Sequence, residues 1–77
     1  MSESRLAKDQ VEKIVKADLQ RHYPDIKHME FRIIRLRERL KPEWWVEVVI
    51  VLEDSTTRTV FYRLDAENGE IKEYRVR

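Results

Sequence analysis

Cysteine is absent from the 77 residues, which removes both a disulfide framework and a thiolate metal site. Glycine occurs once, so no glycine-rich phosphate loop exists, and neither G-x-S-x-G nor H-E-x-x-H is found. No run nears the roughly eighteen consecutive apolar residues of a membrane span. The first ten residues, MSESRLAKDQ, lack the apolar core of a signal peptide. Together these imply a soluble protein, cytoplasmic by default, or of envelope origin if the chain is a trimmed fragment. Charge of one sign is lacking too: sixteen basic and fifteen acidic residues leave a net +1, which exerts no general pull on nucleic acid.

What is present is patterning. Hydrophobic residues make up 42% of the chain and charged residues 40%, enough of each to build one small domain with a sorted core and to exclude disorder. So high a charged fraction also suits heat-adapted proteins and idealised designs. Val11, Ile14, Val15 and Leu19 recur at intervals of three and four, which predicts a helix over 8–22 with Glu12 and Lys16 paired on its outer side. Leu6 is placed to staple onto the first turn, and Pro24 ends the helix.

Beyond Pro24 the period becomes two, and strands are expected over about 28–39, 44–53, 58–65 and 70–77. In the first, Met29, Phe31 and Ile33 alternate with charged residues, then Ile34 and Leu36 take over the apolar positions. A slip of one residue exchanges faces, so a bulge is expected near Ile33–Ile34. LKPE, Leu40–Glu43, and EDSTTR supply the next turns. For the last hairpin, a three-residue loop of Glu67, Asn68 and Gly69 pairs Ala66 with Glu70, Leu64 with Lys72, Tyr62 with Tyr74 and Val60 with Val76. A four-residue loop would set Tyr62 against Glu73 and Val60 against Arg75. The first register gathers apolar pairs on one face and is preferred.

One side of the sheet then reads Ile34, Leu36, Trp44, Val46, Val48, Ile50, Leu52, Val60, Tyr62, Leu64, Tyr74 and Val76, a seat for the helix. The expected fold is α+β: one N-terminal helix on a four-stranded antiparallel sheet, in two layers. The other side carries Arg35, Arg37, Arg39, Trp45, Glu47, Val49, Val51, Glu53, Phe61 and Arg63. That is more apolar than a face open to water requires.

Among candidate sites, His22 and His28 flank the helix exit with Asp25 and Glu30 nearby, but at no metal-binding spacing. No pattern converges carboxylates in a cleft. No catalytic residue, cofactor or metal is therefore expected. Ten of the sixteen basic residues are arginine, and Arg35 and Arg37 beside Trp45 and Phe61 would suit single-stranded nucleic acid. Cross-strand pairing of Arg35 or Arg37 with Glu47 is the plainer reading. Trp45, Val49, Val51 and Phe61, ringed by Arg35, Arg37 and Glu47, instead suggest a protein interface, foreign or self, such as a homodimer. An engineered scaffold with no function shares these features.

The helix exit HYPDI and the hairpin YRLDAENGEI together resemble the PepSY domain. Asp65, Ala66, Gly69, Glu70 and Ile71 match its D-A-x-x-G-E-I turn, and the likeness spans about residues 8–71. The resemblance implies a cystatin-like sheet wrapped on a helix and a non-catalytic, regulatory or inhibitory role beside peptidases and envelope proteins. The chain departs from it in showing no export signal or fused peptidase, and in running on through KEYRVR. The inhibitory Q-x-V-x-G loop of cystatins is also missing.

Overall fold

The stripe at Val11, Ile14, Val15 and Leu19 becomes one side of a helix, α1, running Lys8–His22. The computed structural model describes residues 5–38 and 40–77. Val11, Val15 and Leu19 are wholly buried, and Ile14 packs against them. The residue before the helix, Ala7, has no side chain to cap it. Gln10 compensates by accepting the Ala7 N–H on Oε1 at 2.7 Å, half of a capping box. The exit is Tyr23, whose N–H donates to the Leu19 carbonyl at 2.7 Å just before Pro24. Among the described residues no helix is long and apolar enough to cross a membrane.

Four strands follow: β1 Ile26–Arg37, β2 Glu43–Leu52, β3 Thr57–Asp65 and β4 Ile71–Val76. They form an antiparallel meander in chain order, and α1 lies on one side of it, giving the two-layer α+β arrangement that the pattern predicts. Val46, Val48, Ile50, Leu52, Val60, Tyr62 and Leu64 are buried beneath the helix, with Ile34, Trp44, Tyr74 and Val76 at their margin. Arg39, expected in β1, lies outside the described residues.

The expected bulge is present one residue earlier than the alternation suggested, and it is one of three. The ladder shifts between Phe31 and Ile33 and between Ile26 and His28 in β1, and again opposite Arg63 and Leu64 in β4. In each case one residue has no partner: Arg32, Lys27 and Lys72. Each is exposed and basic. Each also sits between apolar residues three apart, Phe31 and Ile34, Ile26 and Met29, Ile71 and Tyr74. The extra residue lets both members of the pair face the core, which strict alternation forbids.

Two turns differ from expectation. The β1–β2 connection is centred on Leu40 and spans residues 38–42, with Glu43 already in β2. Pro42 has no N–H to offer the ladder, and its carbonyl is taken by the Ala66 N–H at 3.0 Å. The three-residue loop belongs to β2–β3: Ser55 adopts φ 72 and donates to the Leu52 carbonyl at 2.8 Å. At the glycine turn, Asp65 pairs with Glu70, its N–H donating to the Glu70 carbonyl at 2.8 Å. The loop is therefore the four residues Ala66–Gly69. Leu64 opposes Ile71 rather than Lys72, yet the Lys72 bulge restores Tyr62 to Tyr74 and Val60 to Val76.

Asp65 and Asn68 hold this turn by side-chain hydrogen bonds and Gly69 by its backbone conformation. Asp65 Oδ1 accepts the N–H of Glu67 at 2.8 Å and of Asn68 at 3.2 Å, and Asn68 Oδ1 accepts that of Glu70 at 2.8 Å. Gly69 sits at φ +78, and a Cβ there would meet Ile14 Cδ1 at 2.9 Å and Leu6 Cδ1 at 3.1 Å. Buried Ala66 joins three segments, because its carbonyl also accepts the Leu6 N–H at 2.7 Å. At the opposite end, wholly buried Tyr62 donates to Asp18 Oδ2 at 2.7 Å, the polar anchor between sheet and helix. Burial, then this bond, pushes the Tyr62 hydroxyl pKa far above its ordinary value.

Gly69→Val combines positive φ with a methyl clash, and should lower stability by about 2 kcal/mol, roughly a 10 °C drop in Tm. Thermal unfolding followed by circular dichroism checks this, and an unchanged Tm would refute the turn. The Glu67 and Asn68 N–H groups hold the Asp65 carboxyl below its ordinary value of 3.8. A depressed folded value stabilises above the unfolded pKa and is lost as pH falls through the folded one. Asp65→Asn should therefore lose less stability than wild type as pH falls from neutral to below the ordinary carboxylate range in urea titrations.

Candidate functional site

The side of the sheet away from α1 has no second layer. Alternation places on it, row by row across the strands, Arg35–Trp45–Arg63–Glu73 and then Ile33–Glu47–Phe61–Arg75. Glu30–Val49–Thr59 and His28–Val51–Thr57 lie further along. The aromatic pair is in contact: Trp45 and Phe61 meet edge to face at 5.7 Å, with 88° between their planes. Over each lies an arginine, Arg37 at 4.4 Å from the Trp45 ring centre and Arg75 at 5.3 Å from that of Phe61. Guanidinium stacked on an aromatic face shields the ring while leaving its N–H edges outward.

A polar seam borders the pair. Glu43 accepts the Trp45 indole N–H at 3.2 Å on Oε1 and Arg63 Nη1 at 2.8 Å on Oε2. Arg63 Nε reaches Glu73 Oε1 at 3.2 Å, and Arg75 Nε lies 3.5 Å from Glu73 Oε2. Glu73, together with Glu43, raises the Arg63 pKa above its usual value. Beside this seam runs a groove of about 330 Å³ floored by Trp45 and Phe61. Its walls carry Arg35, Arg37, Arg75, Arg77 and a single carboxylate, Glu47. Arg35, Arg37 and Arg77 make no ion pair among the described residues.

No family model, curated protein or solved structure matches this chain. The chemistry of the face must be taken from its geometry.

That geometry gathers five of the residues singled out from sequence, Trp45, Phe61, Arg35, Arg37 and Glu47, around one groove. Val49 and Val51 share the face as half-buried side chains but lie outside the groove. The expected pairing of Arg35 or Arg37 with Glu47 does not form: Arg35 opposes Trp45, Arg37 opposes Glu43, and Glu47 lies between Ile33 and Phe61. The β1–β2 connection is centred on Leu40, earlier than the expected Leu40–Glu43 turn, and that moves the register, so Glu47 is no longer the arginines' counter-ion. Glu53 has left the face for the β2–β3 turn, where its N–H donates to the Asp25 carbonyl at 3.0 Å.

Arg75 and Arg77 were overlooked by sequence reasoning, although the preferred hairpin register already sets Arg75 beside Phe61. The two histidines sit apart in role. His22 stacks on Tyr74 at 4.4 Å and faces Asp18 at 3.3 Å, whereas His28 opposes Val51 on the open side. Among the described residues no His, Asp or Glu group is arranged to hold a metal ion. Burial, then the bond with Tyr23, pushes the Tyr74 hydroxyl up to about 12. This Tyr62–Asp18–His22–Tyr74 cluster closes the helix end of the core.

If Arg37 shields Trp45, removing it should uncover the indole. In a Trp44→Phe background, Arg37→Ala should raise acrylamide quenching of the remaining tryptophan well above that of the Trp44→Phe parent. Equal quenching constants would show that the guanidinium does not sit on the ring.

Proposed function

We propose that this chain is a small non-catalytic interaction or regulatory domain, PepSY-like in its glycine turn and cystatin-like in its layout, which binds a partner or another copy of itself through the open sheet face. The observation that carries the reading is the Trp45–Phe61 pair, set on a face that no second layer covers, with an arginine over each ring. Tryptophan and arginine are the residue types that dominate interface energetics, because they combine large area with directional polar edges. Their burial by a partner removes apolar surface from water without dismantling the core on the far side of the sheet.

Single-stranded nucleic acid is the second reading, favoured by the four arginines that line the same groove. It differs in requiring exposed ring faces for stacking bases and affinity that falls steeply with salt.

The test separates association from folding. Protein with Trp45→Ser is compared with wild type in two assays, urea unfolding and capture of bound protein from an extract of the source cells, with sedimentation of the purified chain for self-association. The expected outcome is a loss of association of about tenfold or more with a stability change near 1 kcal/mol. Association that persists while stability collapses would assign Trp45 to the fold instead.

A further inference from the structure

Resting on that reading of the face as an interface, we infer that its partner is an acidic protein segment, an extended stretch of Glu or Asp with interspersed apolar side chains, seated in the arginine groove. Charge complementarity makes the choice. Four guanidiniums and one carboxylate side chain line the groove, a side-chain charge of +3 that is offset at one edge by Glu73 on Arg75, within a chain whose side chains total only +1. Arg37 and Arg75 already lie over Trp45 and Phe61, at 4.4 and 5.3 Å from the ring centres. A guanidinium held over a ring keeps N–H donors at its edge, which can bind a carboxylate through two parallel hydrogen bonds. Arg37 makes no ion pair among the described residues, and Arg75 shares only its Nε side with Glu73. Apolar side chains have a seat as well. The groove adjoins a second hollow of about 440 Å³ that shares Arg37 and Trp45 and includes Leu40, a leucine with 101% relative exposure.

The other occupants fit less well. A second copy docking face to face would press one arginine cluster onto its twin, and like charges brought together across an interface oppose association. Bases of a nucleic acid would find the aromatic faces occupied and would have to displace both guanidiniums to stack. The positive patch is also bounded by Glu30, Glu43 and Glu73 on the same side of the sheet, which is too short a basic track for a phosphodiester chain. Strand addition at an edge is opposed by the bulges in β1 and β4 and by their exposed Lys27, Arg32 and Lys72, devices that disfavour pairing. Recognition is left to the face.

The experiment measures anisotropy of a labelled peptide of about a dozen residues, mostly glutamate with spaced leucines, at low and at moderate salt. Its controls are the same peptide with glutamine for glutamate and a mixed single-stranded oligonucleotide of equal net charge. The glutamate peptide should bind about tenfold or more tightly than the glutamine peptide, and weaken with salt. Arg37→Gln with Arg75→Gln should remove most of that difference. Lys13→Gln with Lys16→Gln, which deletes the same charge from the exposed side of α1, should leave it unchanged. Should the glutamine pair perturb folding, Arg37→Lys with Arg75→Lys keeps the charge and loses the fork, and is expected to give an intermediate affinity. Equal binding of the two peptides, or a loss that follows α1 charge instead, overturns the inference. So does tighter binding of the oligonucleotide. If Trp45-dependent association persists when the glutamate peptide fails, only the partner's chemistry falls; if Trp45→Ser leaves association intact, the interface reading itself falls.

Discussion

A helix of fifteen residues is about 22 Å long, and it has to cover the apolar side of a sheet whose first strand, at twelve residues, extends for about 40 Å. A flat sheet would leave much of that side in water. The strands must therefore coil around α1, and the bulges at Lys27, Arg32 and Lys72 are the means: each adds a residue to one strand, increases local twist and re-aims the next apolar side chain inward. Both edge strands carry them, and the central pair, β2 with β3, runs in unbroken register from Glu43–Asp65 to Val51–Thr57. Rigidity is placed in the middle of the sheet and curvature at its margins.

The ends of the molecule are held by few, well-formed contacts. Ala66 binds the start of the chain and Pro42 to the glycine turn by backbone hydrogen bonds, and needs to be small because it is completely buried. Tyr62 and Asp18 do the equivalent at the far end of α1. A buried hydroxyl with its partner intact contributes about 1 kcal/mol, whereas an orphaned carboxylate would cost more. These contacts set where the helix lies along the sheet, while apolar burial supplies most of the energy.

The open face answers to different physics. With no second layer, its tryptophan and phenylalanine are shielded by arginines, and its ion pairs are part-exposed contacts each worth roughly 0–1 kcal/mol. Little stability therefore depends on Arg35, Arg37, Arg75 or Arg77, so they are free to exchange aromatic stacking and water for a ligand. This separation, with the core on one side and weakly held cations on the other, is what makes an interface reading coherent. The glycine turn stands at some remove from the groove and acts on it only by setting the β3–β4 register that brings Arg75 to Phe61.

The helix, four strands and both faces of β2 were determined by sequence alone, because they depend on periodicities of 3.6 and 2 that hold over many residues. The hairpin pairing of Tyr62 with Tyr74 was equally legible, since apolar residues choose the register that buries them. Tertiary structure decided what depends on single residues and long-range partners. Ile71 and Tyr74, three apart, need a bulge, and that conceals a four-residue loop inside a register that looks three-residue. Pro42 gives its carbonyl to Ala66, twenty-four positions on, and the turn's earlier centre carries Arg35 and Arg37 away from Glu47. Alternation tells which face a residue takes; only the closed ladder tells which neighbour it meets, and a groove walled by arginines is made of neighbours.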